Sequence, residues 1–187
     1  LTRTWHNLRK YSSDTKGLTH GSGVLLIALL FLQLLVAAIM RHKGAGLAIP
    51  TFPLTPEGGL LPSDWYFGVA IHFAHRALAV LILFVYAFWI VRLIRETGNS
   101  FIRSLGLLAW VLLIAQISLG AAVIWTGRTP FITTMHVLNG AFLLAATWGT
   151  HFFSYHRALE SRDPVDSRAA ETSPSSTETE TEAIASS

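Results

Sequence analysis

Cysteine is absent from the 187-residue chain. That excludes disulfides, thiolate metal sites and thiol chemistry, and it leaves the redox compartment unread. Charge is scarce as well, at 13% of residues against about 25% in soluble domains. Acids are scarcest through the middle, where Glu57, Asp64 and Glu96 are the only ones between Thr15 and Leu159. What fills the chain instead is apolar: 51% hydrophobic residues and a mean hydropathy of +0.47. This is the composition of a membrane protein, whose partner is the lipid bilayer. The net charge of +3 does not point to nucleic acid, because the basic residues flank apolar segments, where they set topology.

Four apolar segments stand out, near 21–40, 67–91, 105–125 and 131–153. Each matches the ~20 residues that cross a hydrocarbon core. The predicted fold is therefore an all-α membrane protein, a four-transmembrane-helix bundle. The first segment lacks a small-residue cleavage site and is not read as a signal peptide. Arg3, Arg9, Lys10, Lys16, Arg92, Arg95, Arg103, Arg157, Arg162 and Arg168 fall on one side, against Arg41, Lys43 and Arg128 on the other. The bias predicts both termini in the cytoplasm, hence an inner (cytoplasmic) membrane protein with N-in, C-in topology. The domains expected are a cytoplasmic arm over 1–19, the helical domain over 20–153 and a cytoplasmic tail over 154–187. From Ser161 onward the tail has no aromatic residue and is rich in Ser, Thr and Glu, a composition that predicts disorder. The 41–66 loop carries Leu47, Ile49, Phe52 and Leu54 among its Gly and Pro residues, and is expected to fold back as a lid. Residue 1 is Leu rather than Met, which reads as a trimmed chain or one piece of a longer protein.

A weak internal repeat joins the segments. "QLLVAAIMRHKG" (33–44) in the first matches "QISLGAAVIWTG" (116–127) in the third, with Gln and Gly at the same spacing. The segment after each carries a histidine near its outer end, His75 and His136. This pattern predicts two parallel helix-pair repeats about an axis along the membrane normal.

An ionisable group inside a span is costly and marks a candidate site. The repeat places His75 and His136 at one depth, directed toward one axis. A small residue follows each by four, Ala79 and Gly140, on the same helix face. Two imidazoles facing across a gap suit a flat macrocycle, with heme iron taking one nitrogen from each side. Zinc would want three or four ligands, and only His72 is near enough to add one. Arg76 and Arg128 are candidates for the two heme propionates, through charge-assisted paired hydrogen bonds. The competing readings are snorkelling for Arg76 and plain interhelical hydrogen bonding for the histidines. His72, three residues before His75, is read as a pocket-lining neighbour, with ligation the lesser alternative. His42 is read as solvated or part of the lid. His20 and His151 could hold a second heme, but nothing small accompanies them and the bland reading is preferred. Gln33 and Gln116 read as polar glue between helices, and Trp65, Tyr66 and Trp125 as an interfacial belt.

Taken together, "QLLVAAIMRHKGAGLAIPTFPL", "HFAHRALA", "QISLGAAVIWTG" and "TTMHVLNGAFLLA" resemble the heme A synthase (CtaA-type) family over roughly residues 20 to 153. The resemblance implies oxidation of the heme O methyl to a formyl group for cytochrome oxidase, by proteins of eight helices in two four-helix halves. It implies heme ligation by His75 and His136. The family's catalytic half carries a Glu where this chain has His72, so the chain resembles the C-terminal half, which holds a b-type heme and passes electrons. No catalytic residue is assigned. The cysteine pair of some members is absent. The partners implied are a homodimer or a second four-helix catalytic half, with heme O-producing and oxidase assembly proteins. A rival reading is a b-type cytochrome electron-transfer subunit without substrate; a third is a heme-free transporter or assembly factor.

Overall fold

In lipid every backbone N–H and C=O must find its partner within the protein, and a long apolar segment does so as a helix. A computed structural model describes residues 2–160, with side chains described from His20 to His156. Its helices are α1 (Thr2–His42), α2 (Phe67–Glu96), α3 (Ser100–Trp125) and α4 (Pro130–Glu160), with a 3-10 turn at Ala45–Leu47. The stretches His20–His42, Phe67–Glu96, Ser100–Trp125 and Pro130–His156 are each long and apolar enough to cross a membrane. The all-α, four-span architecture expected from the sequence is the one observed, with no strand among the described residues. The expected arm over 1–19 continues α1 as helix from Thr2, and α4 runs on past 153 to Glu160. The tail predicted to be disordered from Ser161 lies outside the described residues.

Helix ends are built from local chemistry. Asn99 Oδ1 accepts from the Phe101 and Ile102 amides at 2.9 and 3.2 Å, capping two of the free donors at the start of α3. At its far end Gly127 and Arg128 take positive φ (61° and 64°), and the Arg128 amide returns to the Val123 carbonyl at 2.8 Å. Pro130 then opens α4, where its missing N–H costs nothing. Hydroxyls along the spans bond within their own helix: Ser118, Thr126, Thr133, Thr134, Thr150 and Ser154 all donate to the carbonyl four residues back.

The closest packing is α3 on α4 and α1 on α2, then α1 on α4, with α2 on α3 the loosest of the four neighbouring pairs. This is the two-pair arrangement that the repeat predicts. The buried apolar cluster is Leu26, Leu30, Ile82, Tyr86, Trp89, Ile90, Leu93, Ile102, Ala109, Leu113 and Leu143. On α2 it runs from ~10 Å to ~27 Å beyond His75 at 1.5 Å per residue. The dense core therefore occupies the half of the bundle away from the 41–66 loop. Within it Tyr86 Oη lies 2.9 Å from Thr147 Oγ1. Thr147 has already given its hydrogen to the Leu143 carbonyl at 2.7 Å, so Tyr86 must donate. Outward, Phe31, Phe84, Val111 and Phe142 leave well over half of their surface exposed, one lipid-facing residue for each helix.

Tyr86→Phe deletes one hydrogen bond and leaves Thr147 satisfied by its own helix, for a cost of about 1 kcal/mol. Tyr86→Ala opens a cavity and should cost about 3–5 kcal/mol. Thermal unfolding in detergent, followed by circular dichroism, should therefore separate the two variants. Equal losses would place the energy in the hydroxyl rather than in ring packing.

Candidate functional site

Each helix pair brings one histidine inward at the lid end. His75 lies roughly two turns into α2, and His136 roughly two turns into α4; both are half-buried. Each stands against a glutamine from the other helix of its pair. Gln33 Nε2 is 3.4 Å from His75 Nε2, and Gln116 Nε2 is 3.5 Å from His136 Nε2. The same two atoms meet in both pairs.

The amide orientations are fixed by their other partners. Gln33 Nε2 donates to the His75 carbonyl at 3.0 Å, which only the NH2 end can do. Asn139 Nδ2 donates to the Leu112 carbonyl at 2.9 Å and to Gln116 Oε1 at 2.8 Å. In both pairs, then, amide hydrogens face the histidine Nε2. A neutral imidazole must keep its lone pair there and its proton on Nδ1. Both Nδ1 atoms are buried without a hydrogen-bond partner. At 3.4 and 3.5 Å the amide contacts lie beyond good hydrogen-bond distance and are weak. Each Nε2 lone pair is thus the only strong donor that its ring can offer a metal.

The space around His136 differs from expectation. A Cβ at Gly140 would lie 3.0 Å from Gln116 Nε2, so the Gln116 amide takes the room expected there for a macrocycle. A Cβ at Gly120 would lie 3.2 Å from His136 Cε1; this glycine on α3 is what admits the ring. Among the described residues no three metal-ligating side chains converge. Two imidazoles on separate helices form a donor set for a metal that brings its remaining ligands with it. The residues present fit a porphyrin iron in donor chemistry, with the Gln116 amide seated beside one of its ligands.

His72 is 3% exposed and engaged at both nitrogens. The Ile49 amide donates to Nδ1 at 3.2 Å, and Arg76 Nε points at Nε2 from 3.3 Å. A neutral imidazole accepts at one nitrogen only, so the two donors compete for a single lone pair. Arg76 is secured elsewhere: its Nη2 donates to the Ile49 and Thr51 carbonyls at 2.9 and 2.6 Å, and its guanidinium lies over the Phe52 ring at 5.6 Å. Trp125 Nε1 donates to the Phe52 carbonyl at 3.4 Å. The loop does fold back, with Ile49 buried and Leu47 and Phe52 half-buried, although Leu54 faces outward at 42% exposure. Arg128 is exposed and lies across Gly46, whose Cβ would be 3.5 Å from its Cδ and Nε. Both candidate anion-binding arginines therefore converge on the lid.

His42 is exposed at the end of α1. At the opposite end of the bundle His20 stacks on His151 (4.8 Å, 24°) and on Tyr155 (4.6 Å, 26°). Here the sequence misled: Gly23 does accompany this pair, since a Cβ on it would collide with the His151 ring. Asn139 and Gly120 were missed as well. Asn139 had one signal, because it stands three residues after His136 where the repeat has Leu78 after His75.

A family model described as cytochrome oxidase assembly protein (COX15-CtaA) matches residues 2–148. The chain belongs to this family. Among its relatives, the heme A synthase of Novosphingobium aromaticivorans is 28% identical over 165 residues, covering 77% of this chain and 45% of that protein. The heme A synthase of Geobacillus kaustophilus is 28% identical over 152 residues, 81% of this chain and 45% of the other. That of Staphylococcus saprophyticus is 30% identical over 142 residues, 70% and 43%. The chain thus spans less than half the length of the curated relatives it matches. No solved structure matches it.

His72→Leu removes the acceptor of the Ile49 amide. Hydrogen exchange of the 45–55 segment should quicken by roughly fivefold to tenfold, the scale of one lost hydrogen bond. The bundle helices should keep their protection. Unchanged exchange in the loop would mean that Arg76 alone holds it.

Proposed function

We propose that this chain is a heme-binding four-helix unit of the heme A synthesis machinery, in which His75 and His136 would hold one b-type heme. The observation that carries the proposal is the matched pair of contacts: in each helix pair a glutamine NH2 fixes the histidine lone pair on Nε2. Plain hydrogen-bonding histidines would not need the same tautomer twice. Bound there, the iron supplies one-electron redox chemistry. The chain's own residues do the rest. His75 and His136 would hold the heme through their Nε2 lone pairs, and Arg76 and Arg128 would offer guanidinium donors to its propionates at the lid. Ile49, Phe52 and the buried His72 close that end against water. His72 anchors the lid and does not ligate.

In the reaction that the family name implies, heme O is the substrate and heme A the product. This chain spans one half's worth of its relatives, and the position given to a catalytic Glu in the family is held by His72, which is committed to the lid. The oxidation would then fall to a partner, a second four-helix half or a second copy of this chain, while this unit passes electrons. Heme O-producing and oxidase assembly proteins are its expected neighbours, in the inner membrane with both termini cytoplasmic. The same commitment of His72 favours the second reading, a b-type electron-transfer cytochrome without substrate.

The test is the reduced-minus-oxidised optical spectrum of purified protein beside His75→Ala and His136→Ala. A sharp low-spin heme signal lost in both variants is the expected result. A colourless protein after expression with ample heme would overturn it. Heme O or A recovered on extraction would favour the synthase reading, and heme b alone the electron carrier.

A further inference from the structure

The two histidines share a tautomer but are not held alike. On α4, Asn139 bonds Gln116 Oε1 at 2.8 Å and is itself pinned by the Leu112 carbonyl at 2.9 Å. The Gln116 amide is therefore fixed at its carbonyl end, and its NH2 end has no choice but His136. In the other pair the repeat places Leu29 for Leu112, Gln33 for Gln116 and Leu78 for Asn139. Leucine donates nothing. Gln33 Oε1 is accordingly buried without a partner, and its amide is held only through Nε2 at the His75 carbonyl. A buried, unpaired carbonyl is unfavourable, and it leaves the Gln33 amide anchored at its NH2 end alone, whereas the Gln116 amide is anchored at its carbonyl by a donor that is itself pinned.

We propose that Asn139 is a positioning residue that acts through Gln116 to lock His136. The two axial positions are then inequivalent, with His136 the fixed ligand and His75 the exchangeable one. This rests on the heme reading above and deepens it. A small exogenous ligand, or a redox partner's group, would then reach a bound heme on the His75 side. Arg76 and the lid carbonyls that hold it stand on that same side, so exchange would occur next to the group that anchors the lid.

Reciprocal variants of the full chain test the proposal. Leu78→Asn supplies Gln33 with the missing donor; Asn139→Leu removes the existing one. If the purified protein carries heme, carbon monoxide binding to the reduced form is followed by stopped flow. Leu78→Asn should slow it on the order of fivefold to tenfold, the factor that one hydrogen bond carries; Asn139→Leu, which opens a second side no more labile than the first, should quicken it by up to about twofold. General damage to the bundle would quicken binding in both, so rates that move together, or do not move, overturn the proposal. If the protein is colourless, the heme reading has failed separately. The lock is then read from nitrogen-15 signals of labelled histidine. His136 should show one tautomer in the parent and a mixture in Asn139→Leu, with Leu78→Asn sharpening His75. A His136 signal indifferent to Asn139 would overturn the proposal in that state as well.

Discussion

The lid end of this molecule depends on one constraint: two imidazoles inside an apolar bundle must each commit a proton to one nitrogen, and a neighbouring amide decides which. A carboxylate would do this more strongly, but the spans hold none near the histidines. The chain uses glutamine instead, a neutral group that costs a bundle interior far less than a charge does, with both ends partnered at Gln116 and one at Gln33. The amide leaves the ring nitrogen basic and weakly covered. It directs a lone pair without consuming it, which a full hydrogen bond at 2.9 Å would do.

Stability and site are separated along the helices. The interlocked cluster around Tyr86, Trp89 and Leu143 lies far from the lid, so the helices are registered there. Small residues do the corresponding work near the histidines, where Gly120 and Gly140 let a ring and an amide sit between backbones. In lipid, where no hydrophobic force drives helix against helix, such close approach supplies much of the association. An alanine at either glycine would put a methyl group where the site has polar atoms.

What the sequence made legible were features that one helix carries by itself. Span positions follow from runs of apolar residues, and His75 and His136 stand out because an ionisable residue in a span is rare. The helix pairs are legible through Gln33 and Gln116, although in the sequence these read as glue between helices rather than as partners of the histidines. What escaped were contacts between helices whose residue types are ordinary. Asn139 reads as a lone amide until Leu112 and Gln116 are placed beside it. Gly23 reads as one glycine among several until His151 stacks over it. The role of His72 was hidden for the same reason, since its partner is the backbone amide of Ile49, and a backbone atom leaves no mark in the sequence.

The repeat makes the two pairs similar enough to build one site, and their differences assign the tasks. The pair α1–α2 is joined by the long loop that becomes the lid, and carries Arg76 directly after its histidine; α3–α4 is joined by a tight turn, and has Val137 at the matching position. The long loop and its half-buried arginine therefore lie on one side, and the amide lock on the other. Arg76 now spends its Nη2 on two neutral carbonyls. A carboxylate reaching it would pair opposite charge with a guanidinium that now meets only neutral oxygens. Exchange of carbonyl for carboxylate would release Thr51 and leave Ile49 held through its amide at His72. An anionic ligand arriving at this end would thus loosen the lid that admits it, on the side where the histidine is held least firmly.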